Sequence, residues 1–195
     1  MRNEAGFGIK GLIVVLVVLL AGVTVVTGKN GDGPVCAAKE HRQFDFWLGD
    51  WKIRQKLLKA DGTWFEADAQ TSVRSALDGC ALVEHWSGDV LFFWEGMKSP
   101  ESMKGLSVRA YDPKSKSWTI NWMDTRALRF GEHVGVFSNG KGEFFRTVRN
   151  PDGKETTTRI TFSNITKSSV HWDLAVASPD RESWQTVWIM EMDRK

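Results

Sequence analysis

The sequence predicts an all-β domain, an antiparallel up-and-down barrel of about 8–10 strands behind an N-terminal membrane-targeting helix. Three observations carry this expectation. The block Phe44-Asp45-Phe46-Trp47-Leu48-Gly49-Asp50-Trp51 packs four aromatics around a Gly-x-Trp where a globular domain should begin. Turn dipeptides then recur at short intervals, and the segments between them alternate apolar with polar residues without a helical spacer.

The first element is the targeting segment. Residues 11–28 are uncharged and dominated by Leu12 to Leu20, with Arg2 and Lys10 before them and Lys29 after. Their length lies between a signal-peptide core and a spanning helix, so residues 1–28 read as either a cleaved signal or an uncleaved anchor. Val23 stands where a lipoprotein box would need cysteine. Both readings export the domain to the periplasm or another extracytoplasmic compartment, with membrane contact only through residues 11–28.

Residues 29–40 follow as a linker, Gly- and Pro-containing at its start, with a short helix expected over Ala37 to Phe46. The barrel domain is assigned to 41–195. Within it Asp61-Gly62, Asp78-Gly79, Asp112-Pro113, Asn139-Gly140, Pro151-Asp152-Gly153 and Pro179-Asp180 separate segments rich in Thr, Val, Ile, Phe and Trp. Strands are expected at 49–59, 63–76, 80–87, 105–111, 118–125, 128–137, 142–149, 155–163, 168–177 and 183–192. Closing such a meander removes exposed edges, and a two-sheet sandwich is the alternative. The stretch Ser87 to Lys104 reads as the longest connection and a candidate lid. In the last strand Trp184, Thr186, Trp188, Met190 and Met192 fall on one face by simple alternation.

Composition excludes some functions. The chain has 26 basic and 24 acidic residues, and without Arg2, Lys10 and Glu4 the remainder holds 24 and 23. No basic stripe interleaved with aromatics is present, so nucleic acid is not an expected partner. Cys36 and Cys80 flank the first two strands without a Cys-x-x-Cys pair, which in an oxidising compartment predicts a disulfide rather than a metal site.

Candidate ligand-binding residues come from strand faces. All ten tryptophans lie between Trp47 and Trp188, against a single tyrosine, Tyr111, which suits either a packed core or a cavity lining. Glu84 shares a face with Leu82 and Trp86, while Arg109 shares one with Ser107 and Tyr111 in the following strand. An inward Glu84–Arg109 pair would orient a ligand or move a proton, and an outward pair would be solvated. Asp124 follows Trp122 on its face in the same way. His41, His85, His133 and His171 show no ligand spacing, so no metal and no cofactor, haem included, is expected. No nucleophile elbow, phosphate loop or dinucleotide fingerprint occurs.

His41 to Trp51, Asp78 to Trp86, Tyr111-Asp112-Pro113 and Trp118 to Asp124 together resemble the DUF1579 family of bacterial proteins, over most of residues 41–194. The resemblance implies a calycin-like barrel and no catalytic residue. Its wider relatives are lipocalins, which bind apolar small molecules, and nitrobindin-type barrels, which hold haem. Gly49-Asp50-Trp51 is similar to the lipocalin Gly-x-Trp, which implies that Trp51 closes one end with a cation from the last strand, Arg194, stacked on it. The expected function is an apolar small-molecule binder built on Glu84, Trp86, Arg109, Tyr111, Trp122 and Asp124. The alternatives are a calycin-like enzyme with Glu84 or His85 as acid or base, and a structural envelope module.

Overall fold

A computed structural model describes residues 36–150 and 152–195, omitting the side chain of Trp94. The targeting segment 1–28 and linker residues 29–35 lie outside the described residues. Among those described, no helix is long and apolar enough to cross a membrane.

Ten antiparallel strands close into one barrel: β1 Gly49–Leu58, β2 Trp64–Ala76, β3 Ala81–Val90, β4 Glu101–Asp112, β5 Ser117–Asp124, β6 Gly131–Ser138, β7 Lys141–Arg149, β8 Glu155–Ser163, β9 Ser169–Ala177 and β10 Trp184–Arg194. Each strand pairs with its neighbours in sequence, and β10 returns to β1 with Trp51 opposite Arg194. The turns do what their residues allow. Between β6 and β7, Asn139 and Gly140 both take positive φ, 52° and 75°, the mirror-image turn whose twist matches the flanking strands.

One end of the barrel is plugged by two short 3-10 turns, Lys39–Arg42 and Asp45–Trp47, where a single helix over 37–46 was expected. Three residues per turn put positions three apart on one side. His41, Phe44 and Trp47 are accordingly all buried. The Phe44 ring sits 4.9 Å from Trp118, 4.8 Å from Phe137 and 5.3 Å from Phe162, centroid to centroid. A bridge from Cys36 to Cys80, with Cα atoms 5.1 Å apart, ties the plug to the β2–β3 turn. Cys36 to Glu40 are thus held at the barrel end by the bridge and the first 3-10 turn.

Arg194 locks the same end. Its guanidinium carbon lies 4.2 Å from the Trp51 ring centroid, Nη2 donates to Phe46 O at 2.7 Å, Nε donates to Lys167 O at 2.8 Å, and Nη1 donates to Leu48 O. Gly49 has φ 120°, and a Cβ there would run into the Arg194 guanidinium. Trp51 donates its indole N–H to Trp47 O at 2.9 Å, so plug, first strand and last strand form one unit.

Two expectations are corrected. β3 and β4 run on to Val90 and from Glu101, which leaves only 91–100 as their connection instead of Ser87 to Lys104. Gly88 is a ladder residue opposite Met103; a Cβ there would lie 2.6 Å from that of Ala69 and 2.9 Å from the Trp86 ring. In β10 a bulge between Thr186 and Trp188 shifts the register. Trp188, Met190 and Met192 stay on the inner face, while Trp184 and Thr186 pair with Ala177 and Ala175 on the outer one. There Trp184 covers the Arg159 guanidinium at 4.5 Å and meets the exposed Phe145 ring.

Reducing the Cys36–Cys80 bridge, which spans 44 positions, is expected to lower unfolding free energy by about 2–4 kcal/mol. Urea titrations of oxidised and reduced protein check this; coincident midpoints would show that the bridge is energetically idle. Arg194→Met should cost about 1–3 kcal/mol by leaving three carbonyls short of a charged donor, read from the same titration.

Candidate functional site

A cavity of about 230 Å³ runs inside the barrel from the plug toward the end that carries the β3–β4 and β5–β6 connections. Its floor includes Trp47, Phe162 and Met192, and its far end Phe92, Glu95, Asp124 and Gly131. The walls between are largely aromatic. Trp188 stands at the centre, 5.7 Å from Trp86, 5.4 Å from Trp172 and 5.3 Å from Phe92. Its indole donates to Gln55 Oε1 at 2.8 Å, and Gln55 Nε2 donates to Asp89 O at 2.8 Å.

Glu84 on β3 and Arg109 on β4 meet diagonally across the ladder, Glu84 lying opposite Ser107 and Arg109 opposite Leu82, and both turn inward, one of the two directions that alternation left open. They form a buried ion pair between Arg109 Nη2 and Glu84 Oε2. Ser107 donates its hydroxyl to Glu84 Oε2 at 2.8 Å, and Thr71 donates to Oε1 at 2.9 Å. The carboxylate is thus fully engaged. The guanidinium is not: Nε and Nη1 have no hydrogen-bond partner among the described residues. It lies instead beneath Trp47, Phe44 and Phe162, at 4.9, 5.1 and 5.4 Å from the ring centroids. Burial pushes the Arg109 pKa down from its ordinary value, and Glu84 opposes that shift.

At the far end Trp122 donates to Asp124 Oδ2 at 2.9 Å, and Asp124 Oδ1 accepts from the backbone of Arg126 and Ala127. Arg126 reaches across to Glu95 at 2.9 Å and to Glu101, joining the two connections that flank the opening. Gly105 lies within β4 rather than at its start, and its missing side chain makes room for the Trp122 ring.

Glu84, Trp86, Arg109, Trp122 and Asp124 all line the cavity. Tyr111 does not. Two positions further along β4 than Arg109, it has passed the floor and packs between His41 and Trp118 at the plug, 5.1 and 5.8 Å away. His85 is exposed on the outer face, so it shares no site with Glu84.

Sequence reading missed His133, Arg146 and Gln55. Among the histidines only His133 lines the cavity; its Nε2 lies 3.1 Å from Thr158 Oγ1, and Nδ1 is buried without a partner. Its inward direction was readable from alternation in β6, but a lone histidine carries no motif. Burial, and after it the Arg146 charge, push its pKa down to about 4. Among the described residues no cluster of His, Cys, Asp or Glu has the makings of a metal site.

No family model matches this chain, and no curated protein matches it. Among solved structures it is similar to an S-type phycobiliprotein lyase from Guillardia theta, at 12% identity and a TM-score of 0.50, covering 80% of this chain and 96% of the lyase. A protein of the DUF3598 family from Nostoc punctiforme aligns at 7% identity and a TM-score of 0.27, covering 80% of this chain and 99% of that one. The first likeness defines the fold as a calycin-like barrel.

Glu84→Gln is expected to destabilise the fold by about 3–5 kcal/mol, because it leaves a buried guanidinium uncompensated. Replacing the pair together, Glu84→Leu with Arg109→Met, should recover most of that loss in urea unfolding; equal losses would refute the pairing energetics. His133 is neutral when folded down to about pH 4, whereas unfolded it takes up its proton near 6.5. The unfolded chain therefore binds the extra proton between these values, and stability falls as pH drops through that window, by up to about 3 kcal/mol. His133→Gln should flatten this part of the pH–stability curve.

Proposed function

We propose that this protein is an exported barrel that binds an apolar small molecule in the tryptophan-lined cavity. The observation that carries the reading is a roughly 230 Å³ interior space walled by aromatics and supplied with buried donors, Arg109 Nε and Nη1 and the Trp86 indole, that have no partner among the described residues. A buried N–H without an acceptor is costly, by about 1–3 kcal/mol. A ligand carbonyl or hydroxyl seated against Arg109 removes that cost, while the indole walls bury the rest of its surface. Specificity then rests on Glu84, Trp86, Arg109, Trp122 and Asp124. The Cys36–Cys80 bridge supports an oxidising compartment, and with residues 11–28 as a targeting segment it supports export. Membership of the DUF1579 family, proposed on the motifs from His41 to Asp124, accords with a barrel that carries no catalytic constellation.

N-phenyl-1-naphthylamine, a neutral apolar fluorophore, tests this directly. One molecule per chain is expected to bind with a Kd in the micromolar range, with quenching of tryptophan emission. Leu174→Trp, which fills the cavity from β9 beside Ile160 of β8, should abolish binding while leaving the unfolding transition cooperative. Absence of saturable binding by the native protein would remove the binding reading.

A further inference from the structure

Arg146 is the cation that the pairing pattern leaves over. It projects inward from β7 and is half-buried in the cavity wall. Its guanidinium lies against Gly131, the first residue of β6, where any Cβ would collide with it. Among the described residues it makes no ion pair and its side chain makes no hydrogen bond. Every other charge around the cavity is engaged. Glu84 holds Arg109, Glu95 holds Arg126, and Asp124 accepts from the Trp122 indole and from two backbone N–H groups. His133, beside it, is depressed by burial and by Arg146 itself, so it stays neutral and does not compete for an anion.

From this arrangement, and resting on the cavity-binding reading above, we propose that the ligand is an amphiphilic monoanion: an apolar body among Trp86, Trp172 and Trp188 and a carboxylate, sulfonate or similar group on Arg146. The physical reason is pairing rather than net charge, since Asp124 at the same end also has no cation partner among the described residues but has its oxygens engaged by the Trp122 indole and two backbone N–H groups. Arg109 is already matched by Glu84, so a ligand anion placed deep would face a neutral pair. At Arg146 it meets an unmatched guanidinium in a partly dehydrated wall, where a charge-assisted contact is stronger than in water. Gly131 has no side chain to displace the guanidinium, whose planar fork can donate two parallel hydrogen bonds to such a group.

The test uses two probes with the same aromatic body, neutral N-phenyl-1-naphthylamine and its sulfonated counterpart 1-anilinonaphthalene-8-sulfonate, titrated against the native protein with each required to displace the other. The sulfonate is expected to bind about ten- to a hundredfold more tightly. Arg146→Gln should collapse that ratio to near one, whereas Arg149→Gln, exposed on β7 and bonded to Glu155, should preserve it. Gly131→Ala keeps the charge but displaces the guanidinium, and should lower the ratio without the loss of a cation. Equal affinity for both probes in the native protein, or a preference that survives Arg146→Gln, overturns the anchor and leaves the cavity reading standing. Failure of both probes to bind overturns the two together.

Discussion

The barrel is organised around one difficulty, a guanidinium held inside it. Arg109 sits on the floor of the cavity beneath three aromatic faces, where water cannot solvate it. Such a charge is tolerable only with a matched carboxylate whose own lone pairs are satisfied. Glu84 supplies the match, and Thr71 and Ser107 hold it from the two flanking strands. The plug follows from the same requirement, because Phe44 and Trp47 present ring faces to the guanidinium and seal the end at which it lies. Arg194, on the outside of that seal, carries the corresponding task in solvent reach, binding the carbonyls of the plug to the last strand.

Much of this was legible in the sequence because it depends on local chemistry. Turn motifs marked six of the nine connections, since Asp, Asn, Gly and Pro favour a reversal wherever they stand; none of them falls between β3 and β4, β5 and β6 or β8 and β9, where the strand-forming segments on either side carried the reading. Period-two alternation put Glu84 on the face of Leu82 and Trp86 and Arg109 on that of Ser107 and Tyr111, but which way those faces turn was left open until the closed barrel decided it. Trp86, Trp122 and Asp124 came to the cavity in the same way.

What could not be read depends on more than one hairpin. Arg146 and His133 come to the cavity from β7 and β6, three and two strands beyond β4, and no spacing within a strand shows what faces them across the barrel. Tyr111 has the correct face but the wrong depth, a quantity set by strand stagger around the whole barrel. The strand expected to end at 87 runs on through Gly88, a packing position whose meaning lies in the neighbouring Trp86 ring and Ala69. The three-residue rhythm of His41, Phe44 and Trp47 was visible, but only the barrel end they fill distinguishes a pair of tight turns from one helix.

The bulge in β10 acts as a frameshift between two reading frames of the same strand. Downstream of Val187, odd and even positions keep the assignment that the barrel interior dictates; upstream they exchange roles, so one tryptophan of the strand serves the interior and another the exterior. A strand of uniform parity would have to commit both rings to one side. Length variation at this position therefore changes which side of the wall every residue from Trp184 to Thr186 belongs to, something no substitution there can do. In a closed sheet without a free edge, such a slipped position is also one of the few places where a residue can be gained or lost without altering how the ends of the strand are joined.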